Sequence, residues 1–342
     1  MFMPAGAVGE LIVEINGKGK GEQMETVTGK IRAICMSEKR GVEKTEVEQA
    51  TLVAGEGIQG DAHAGKWHRQ VSMLSGSSVD EFNRRGAGVK NGDFGENLIV
   101  DGVDCIKLPV GTVLTIGDGD DPVRIRVTQK GKECHTHCNI YKRMGECIMP
   151  HQGTFTEVLT GGTIKKGDSF TVEYPDIDRP FQAAVVVLSD KASVGQREDL
   201  SGPKAQEILE KNGYEVIETI VIPDDSKRIK MELIRLCDGR EADLIITSGG
   251  TGFSSRDVTP EVTMDIADRN APGIAEYIRM KSMEITDRAM LTRGASVIRG
   301  NTLIVNLPGS PKAVDECLGF IMGGLEHGLK VLRGGVSECA RQ

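Results

Sequence analysis

Apolar and polar positions change rhythm once along the chain, near residue 174. Before that point, short β-type runs at residues 29–36, 70–74, 97–100, 113–116, 123–128 and 169–173 are separated by turn-rich stretches such as Gly117-Asp-Gly-Asp-Asp-Pro122. Only residues 77–85 carry a clear helical spacing. Many short strands at modest intervals predict a mainly-β barrel or sandwich. After residue 180 strands and helices alternate. The continuous apolar run 183–188 suits a buried parallel strand. A helix over 203–211 stops at Asn212-Gly213, and a strand over 214–222, a helix over 226–237, a strand over 244–247 and a helix over 273–285 follow. Residues 297–299 and 302–305 flank Gly300-Asn301 as a tight hairpin, and Ser310-Pro311 caps a helix reaching about Ile321. This order predicts an α/β three-layer sandwich with a mostly parallel sheet.

Between the two rhythms, Tyr174-Pro-Asp-Ile-Asp-Arg-Pro180 has the prolines and charges of an exposed connection. We therefore expect an extension over 1–24, a β domain over 25–173, a linker over 174–180 and an α/β domain over 181–342. A length of 342 residues with 39% hydrophobic content is enough for two cores. The net charge of −8 argues against a nucleic-acid or anionic-membrane surface, though not against a small anionic ligand held by a few local cations. Eight cysteines without dense, even spacing, and no signal peptide or spanning stretch, predict a reduced, cytoplasmic protein. Residues 1–23 show no clear cleavage signal, and Met24 is an alternative start.

The chemistry concentrates where the strand over 244–247 ends. Three glycines, Gly249, Gly250 and Gly252, stand within four residues, with Thr251 among them. Without Cβ atoms they let a ligand approach main-chain N–H groups. Ser254, Ser255, Arg256 and Asp257 follow, and Thr259-Pro260 reads as the N-cap and first residue of the next helix. Open α/β sheets bind phosphorylated ligands at such strand-to-helix loops. Neither G-x-G-x-x-G nor a Gly-Lys-Ser/Thr ending is present. Asp224 lies in a second strand-to-helix loop, which opens at the same sheet edge if the strands are parallel. Aspartates there can bind a metal or cap a helix. Ser310 and Lys312 open a helix after Leu307-Pro-Gly309, where amides and an ammonium converge as a second anion site or merely cap the helix.

Leu188-Ser-Asp190-Lys-Ala-Ser193, Ile222-Pro-Asp224, Thr247-Ser-Gly-Gly-Thr-Gly252, Arg256-Asp257-Val-Thr-Pro260 and Asn306-Leu-Pro-Gly-Ser-Pro311 together resemble the molybdopterin adenylyltransferase family, the MoaB/Mog molybdopterin-binding fold. The resemblance implies transfer of AMP from ATP to a pterin phosphate. It implies roles for Asp224 and Asp257, as catalytic groups and Mg²⁺ ligands. Ser189, Asp190, Gly249, Gly250, Thr251, Gly252, Asn306, Pro308, Gly309, Ser310 and Lys312 would bind substrate or phosphate. It also implies a homotrimer formed through this half.

Gly57-Ile-Gln-Gly-Asp61-Ala-His63, Trp67-His-Arg69-Gln-Val71, Gly92-Asp-Phe-Gly-Glu96-Asn97-Leu98 and Val127-Thr-Gln-Lys-Gly-Lys-Glu-Cys134 resemble the MOSC family over about residues 27–172. That resemblance implies molybdenum cofactor binding or sulfur handling at Cys134, with Lys130, Lys132 and His135 nearby to favour a thiolate. A buried, inert cysteine is the alternative. Arg69 and Asn97 either bind a phosphate or pterin or organise the barrel. Cys134, His135, His137 and Cys138 with Cys147 and His151 also supply zinc-type ligands, without paired C-x₂-C units, and Cys138 with Cys147 is a weaker redox pair. Both halves thus point to molybdenum cofactor biosynthesis, with small-molecule pterin and nucleotide as ligands and other proteins of the pathway as partners. A non-catalytic molybdopterin or cofactor carrier is the alternative function.

Overall fold

The computed structural model describes residues 26–133 and 139–334, so the expected extension 1–24 and Cys134, His135, His137 and Cys138 lie outside the described residues. The zinc and disulfide expectations fall there as well.

The amino-terminal half is built from β1 (Thr28–Met36), β2 (Thr45–Val47), β3 (Gln49–Val53), β4 (Gly57–Ile58), β5 (Val71–Ser75), β6 (Leu98–Asp101), β7 (Val113–Ile116), β8 (Val123–Lys130), β9 (Thr154–Thr160), β10 (Gly162–Lys165) and β11 (Ser169–Glu173). Seven strands in the order β11-β7-β8-β9-β5-β6-β1 close on themselves through the β1–β11 pairing at residues 28–30, and β2 pairs with the carboxyl end of β1 at residues 34–36. Closure satisfies the backbone of both would-be edges. Alternation explains the inside: Val123, Ile125 and Val127 of β8 point inward with Ile31, Leu114 and Phe170. A smaller outer cluster packs α1 (Gly76–Arg84) onto the wall, with Phe82 edge-on to Phe94 at 5.4 Å. Helices α2 (Asn139–Met144) and α3 (Met149–Gln152) precede β9.

Polar side chains are buried in this barrel too. Lys44 Nζ lies 3.0 and 2.8 Å from the two carboxylate oxygens of Asp61, with both side chains fully buried. Glu96, also fully buried, accepts from the Gly92 amide at 2.7 Å and the Phe94 amide at 3.1 Å. Burial pushes the Glu96 carboxyl up to about 7 against the pull of those amides. Its folded pKa therefore exceeds its unfolded value of about 4.3. The native state holds the extra proton between these values, so this contribution to stability is fully present below about pH 4 and is lost as pH rises through 7. Urea titrations at stepped pH should show that decline, and Glu96→Gln should flatten it; an equal slope in both proteins would assign it elsewhere.

The carboxy-terminal half contains β12 (Gln182–Leu188), α4 (Asp190–Ser193), α5 (Ser201–Lys211), β13 (Glu215–Ile222), α6 (Ser226–Ile234), β14 (Leu244–Ser248), α7 (Thr259–Asp265), β15 (Arg269–Asn270), α8 (Pro272–Met283), β16 (Ser296–Arg299), β17 (Thr302–Leu307) and α9 (Pro311–Leu332). Successive residues of β12 serve two cores. Ala183, Val185 and Val187 meet Leu209 of α5 and Leu318 of α9, whereas Ala184, Val186 and Leu188 meet Ile229 and Leu233 of α6. The sheet order is β13-β12-β14-β17-β16-β15. The first four strands are parallel, but β16 pairs antiparallel with β17 and β15 pairs antiparallel with β16. The sheet is thus mixed, because the Gly300-Asn301 turn returns β16 beside β17 as a hairpin. Gly300 supplies the positive φ of 54° at the first central position.

Among the helix boundaries that differ from the sequence reading are the start of α7 and the end of α9. Helix α7 starts at Thr259 itself, with Val258 before it and no side-chain cap. Helix α9 continues past Ile321 to Leu332, because Leu325 and Leu329 extend its buried stripe while Gly323, Gly324 and Gly328 fall on the exposed face. At its end Arg333 donates to the carbonyls of Ile177, Arg179 and Pro180 and pairs with Asp243, tying the connecting segment to the last helix. Among the described residues no helix is long and apolar enough to cross a membrane.

Candidate functional site

The carboxyl ends of the four parallel strands β12, β13, β14 and β17 open together. A cavity of about 1090 Å³ lies at that edge, lined by Ser189, Asp190, Asp224, Gly249 to Gly252, Asp257 and Pro308 to Ser310. The loop after β14 folds sharply because Gly249 and Gly250 take φ of 114° and 63°. A Cβ on Gly249 would stand 2.5 Å from the Leu188 carbonyl oxygen, and one on Gly250 would run into the Thr259 hydroxyl. Only glycine lets the loop lie this close to its neighbours. The loop after β17 comes equally near: a Cβ on Gly309 would be 3.2 Å from Gly249 Cα.

Three aspartates gather around this loop. The Asp190 amide donates to Asp224 at 3.2 Å, and the Asp224 amide returns a bond to Asp190 at 3.0 Å. Arg256 holds the Asp190 carboxylate with Nη2 at 2.7 and 2.8 Å. Burial, with the charges of Asp190 and Asp257 acting in the same direction, raises the pKa of Asp224. Asp257 accepts from the Ser254 amide at 2.9 Å, and its carboxylate would lie 2.9 Å from a Cβ on Gly252. Asp224 Oδ1 would be 3.3 Å from a Cβ on Gly250, so the two carboxylates flank the glycine loop. Two carboxylates with room for phosphate and water are what Mg²⁺ takes, and the strain of like charge around Asp224 is what a cation would relieve.

The remaining expected residues separate into two groups. Ser189 Oγ accepts from the Ala192 amide at 3.2 Å and from Arg197 at 2.9 Å at the mouth of the cavity. Ser310 caps α9, accepting from the Ala313 amide at 3.1 Å, and so aims the amino end of a 22-residue helix at the cavity. Asn306 and Lys312 lie off it. The Asn306 side chain is buried, donating to Thr247 at 2.9 Å and Thr263 at 3.0 Å and accepting from the Ala295 amide at 3.2 Å, so it joins strand to helix. Lys312 points to solvent, 3.7 Å from Glu316. In the barrel, Asn97 is likewise structural: it accepts from Ser72 N and Oγ at 3.1 Å each and donates to the Cys35 carbonyl at 3.1 Å.

Arg293, unmarked in the sequence, organises the glycine loop from 41 residues away. It donates to the Gly252 carbonyl at 2.7 Å, bonds the Asp257 carbonyl and pairs with Glu261. Its neighbours in the 3-10 turn Asp287–Leu291 form a further wall of the cavity with Arg288 and Ala289.

The family described as a probable molybdopterin binding domain matches residues 184–327, and the MOSC domain matches residues 60–171. The chain is 38% identical over 152 residues to a molybdopterin adenylyltransferase of Helicobacter pylori, covering 44% of this chain and 86% of that one. It is 41% identical over 141 residues to that of Escherichia coli, covering 40% and 72%. Among solved structures, the molybdopterin biosynthesis enzyme MoaB of Thermus thermophilus shares 40% identity, with a TM-score of 0.44 over 45% of this chain and 97% of its own.

Proposed function

The chain belongs to the molybdopterin adenylyltransferase family through its carboxy-terminal half and carries a MOSC domain in its amino-terminal half, and from this premise we propose that it adenylylates molybdopterin with Mg-ATP. The observation that carries the reading is the pair Asp224 and Asp257 on either side of a glycine loop at the open edge of the sheet. The molybdopterin phosphate attacks the α-phosphorus of ATP, a new P–O bond forms, and the bond to the β-phosphate breaks to release pyrophosphate. The amides of Gly249 to Gly252 and the amino end of α9 receive phosphate oxygens, and Thr251 adds a hydroxyl. Asp224 and Asp257 would hold Mg²⁺, which would neutralise charge on the triphosphate. Asp190, held by Arg256, fixes the backbone on which Asp224 stands. The test is pyrophosphate release from Mg-ATP with and without molybdopterin under anaerobic conditions. Release that depends on the pterin supports the transferase; pterin binding without release points to a carrier.

In the same reading residues 25–173 form the MOSC unit and 181–342 the transferase unit, joined by 174–180. The barrel binds the pterin product or mature cofactor through Arg69, with Cys134 as sulfur carrier or metal ligand. Buried thiols at Cys35, Cys105, Cys237 and Cys317 support a reducing, cytoplasmic setting. Phe253, Met280, Met283 and Met290 are exposed apolar side chains on the carboxy-terminal half, which supports self-association there. Light scattering on the eluted protein should give the mass of three chains; a monomer at micromolar concentration would refute the trimer.

A further inference from the structure

At the sheet edge opposite the cavity, the junction between barrel and sheet buries more positive charge than it neutralises. The π-helical turn Arg235–Gly239 that ends α6 packs on β8, where a Cβ on Gly239 would lie 2.9 Å from the Lys130 carbonyl oxygen. Such turns recur at functional sites. Glu241 then adopts a φ of 49°, uncommon for a residue with a Cβ, and reaches the barrel. It accepts from the Val110 amide at 2.8 Å and from Lys130 at 2.6 Å. This strap fixes Arg240 in the junction.

Arg240 is only 5% exposed, yet among the described residues its Nε and Nη1 have no hydrogen-bond partner. Glu218 Oε2 is 4.0 Å from Nε, and both Glu218 oxygens already bind Arg235 at 2.6 and 3.1 Å. Glu232 binds Arg235 and Arg228, and Glu157 binds Arg126. From the barrel Arg69 arrives with its own Nε unpartnered among the described residues, its guanidinium 4.8 Å from the ring centre of Trp67 and 5.7 Å from that of Phe155. Burial lowers the pKa of both guanidinium groups, that of Arg240 to about 10. Burial and then the Arg240 charge bring His68 down to about 4, so it adds no further cation near neutral pH. Buried donors left unfilled are rare and costly.

We propose that Arg240 and Arg69 form one anion site shared by the two halves, for the phosphate dianion of a phosphomonoester. Arg240 Nε and Nη1 and Arg69 Nε offer three unpartnered N–H donors on two permanent cations, the chemistry that holds a phosphate. The site is independent of adenylyl transfer, since Arg240 stands before β14 while the cavity lies at its far end.

Trp67 is the only tryptophan and stacks on Arg69, so its fluorescence reports this site alone. The full chain is titrated with inorganic phosphate, AMP or molybdopterin at constant ionic strength set with chloride. A saturable change is expected, with Kd raised at least about tenfold in Arg240→Gln and in Arg69→Gln. Tighter binding of molybdopterin than of phosphate or AMP assigns the phosphate to the pterin; equal binding of all three assigns a free phosphate site. Without ligand, Arg240→Gln should melt no lower than the wild type, because an unpaired buried charge is gone, and phosphate should no longer raise its Tm. Pyrophosphate release by the cavity should persist in this variant, which separates the two readings. No saturable change with any of the three ligands would overturn the site, as would an Arg240→Gln protein that melts lower and binds phosphate unchanged.

Discussion

Asp257→Ala should lower molybdopterin-dependent pyrophosphate release by at least about 10²–10³-fold, the usual effect of removing a group that stabilises charge in the transition state. The fold should survive. The Asp257 carboxylate accepts one bond, from the exposed Ser254 amide, while the loop itself is held by Arg293 through the carbonyls of Gly252 and Asp257, which the substitution keeps. Initial rates at saturating Mg-ATP, with circular dichroism and Tm as controls, separate chemistry from stability. Asp257→Asn keeps the bond to Ser254 and removes only the charge, so it should be nearly as slow. A fully active Asp257→Ala protein would remove the assigned role, and an inactive but unfolded one would move the test to the asparagine variant.

Asp61→Ala should cost the barrel about 3–5 kcal/mol, the range for breaking a buried pair by deleting one partner. Lys44 would be left buried without its acceptor, and the amides of Ser37 and His63, at 3.1 and 2.9 Å from the carboxylate, would lose theirs as well. Urea unfolding followed through Trp67, which lies in the barrel, isolates this half. A loss below about 1 kcal/mol would mean that the pair is not buried in solution. The pH dependence has a definite sign. Burial alone would raise the Asp61 pKa, but the bonds from His63 and Lys44 override it and hold the carboxyl well below the usual carboxylate range. Its contribution is therefore present above about pH 4 and lost as pH falls further. This runs opposite to the Glu96 contribution, so from these two groups the barrel should be most stable near pH 4, where the two windows meet.

Much of this architecture is readable in the sequence wherever one residue type can do only one thing. The run 183–188 has no polar position, so it must be covered on both faces, and it is. The glycines at 249 and 250 take backbone angles closed to other residues, and the loop they predict is the floor of the cavity. The misses have physical causes. Strand β9 escapes notice because Thr154 and Thr156 are buried in positions where alternation predicts polar residues outside. Asn306 looks like a recognition residue because an amide that joins Thr247 to Thr263 has the same chemistry as one that reads a ligand. Arg293 and Arg240 gain their surroundings from chain segments far away, so no local pattern marks them. The turn from β16 into β17 is visible as a hairpin, but its consequence for the sheet depends on which other neighbour β17 takes.

The tie made by Arg333 changes what joining the two halves can accomplish. With the connecting segment bonded at Ile177, Arg179 and Pro180 to the end of α9, the barrel is splinted rather than carried on a swinging arm. It is splinted at the edge where the parallel strands begin, whereas the carboxylates stand where they end; seven residues of β12 separate these edges, roughly 20 Å of strand. On the proposed functions, joining the halves in one splinted chain fixes their ratio at one to one.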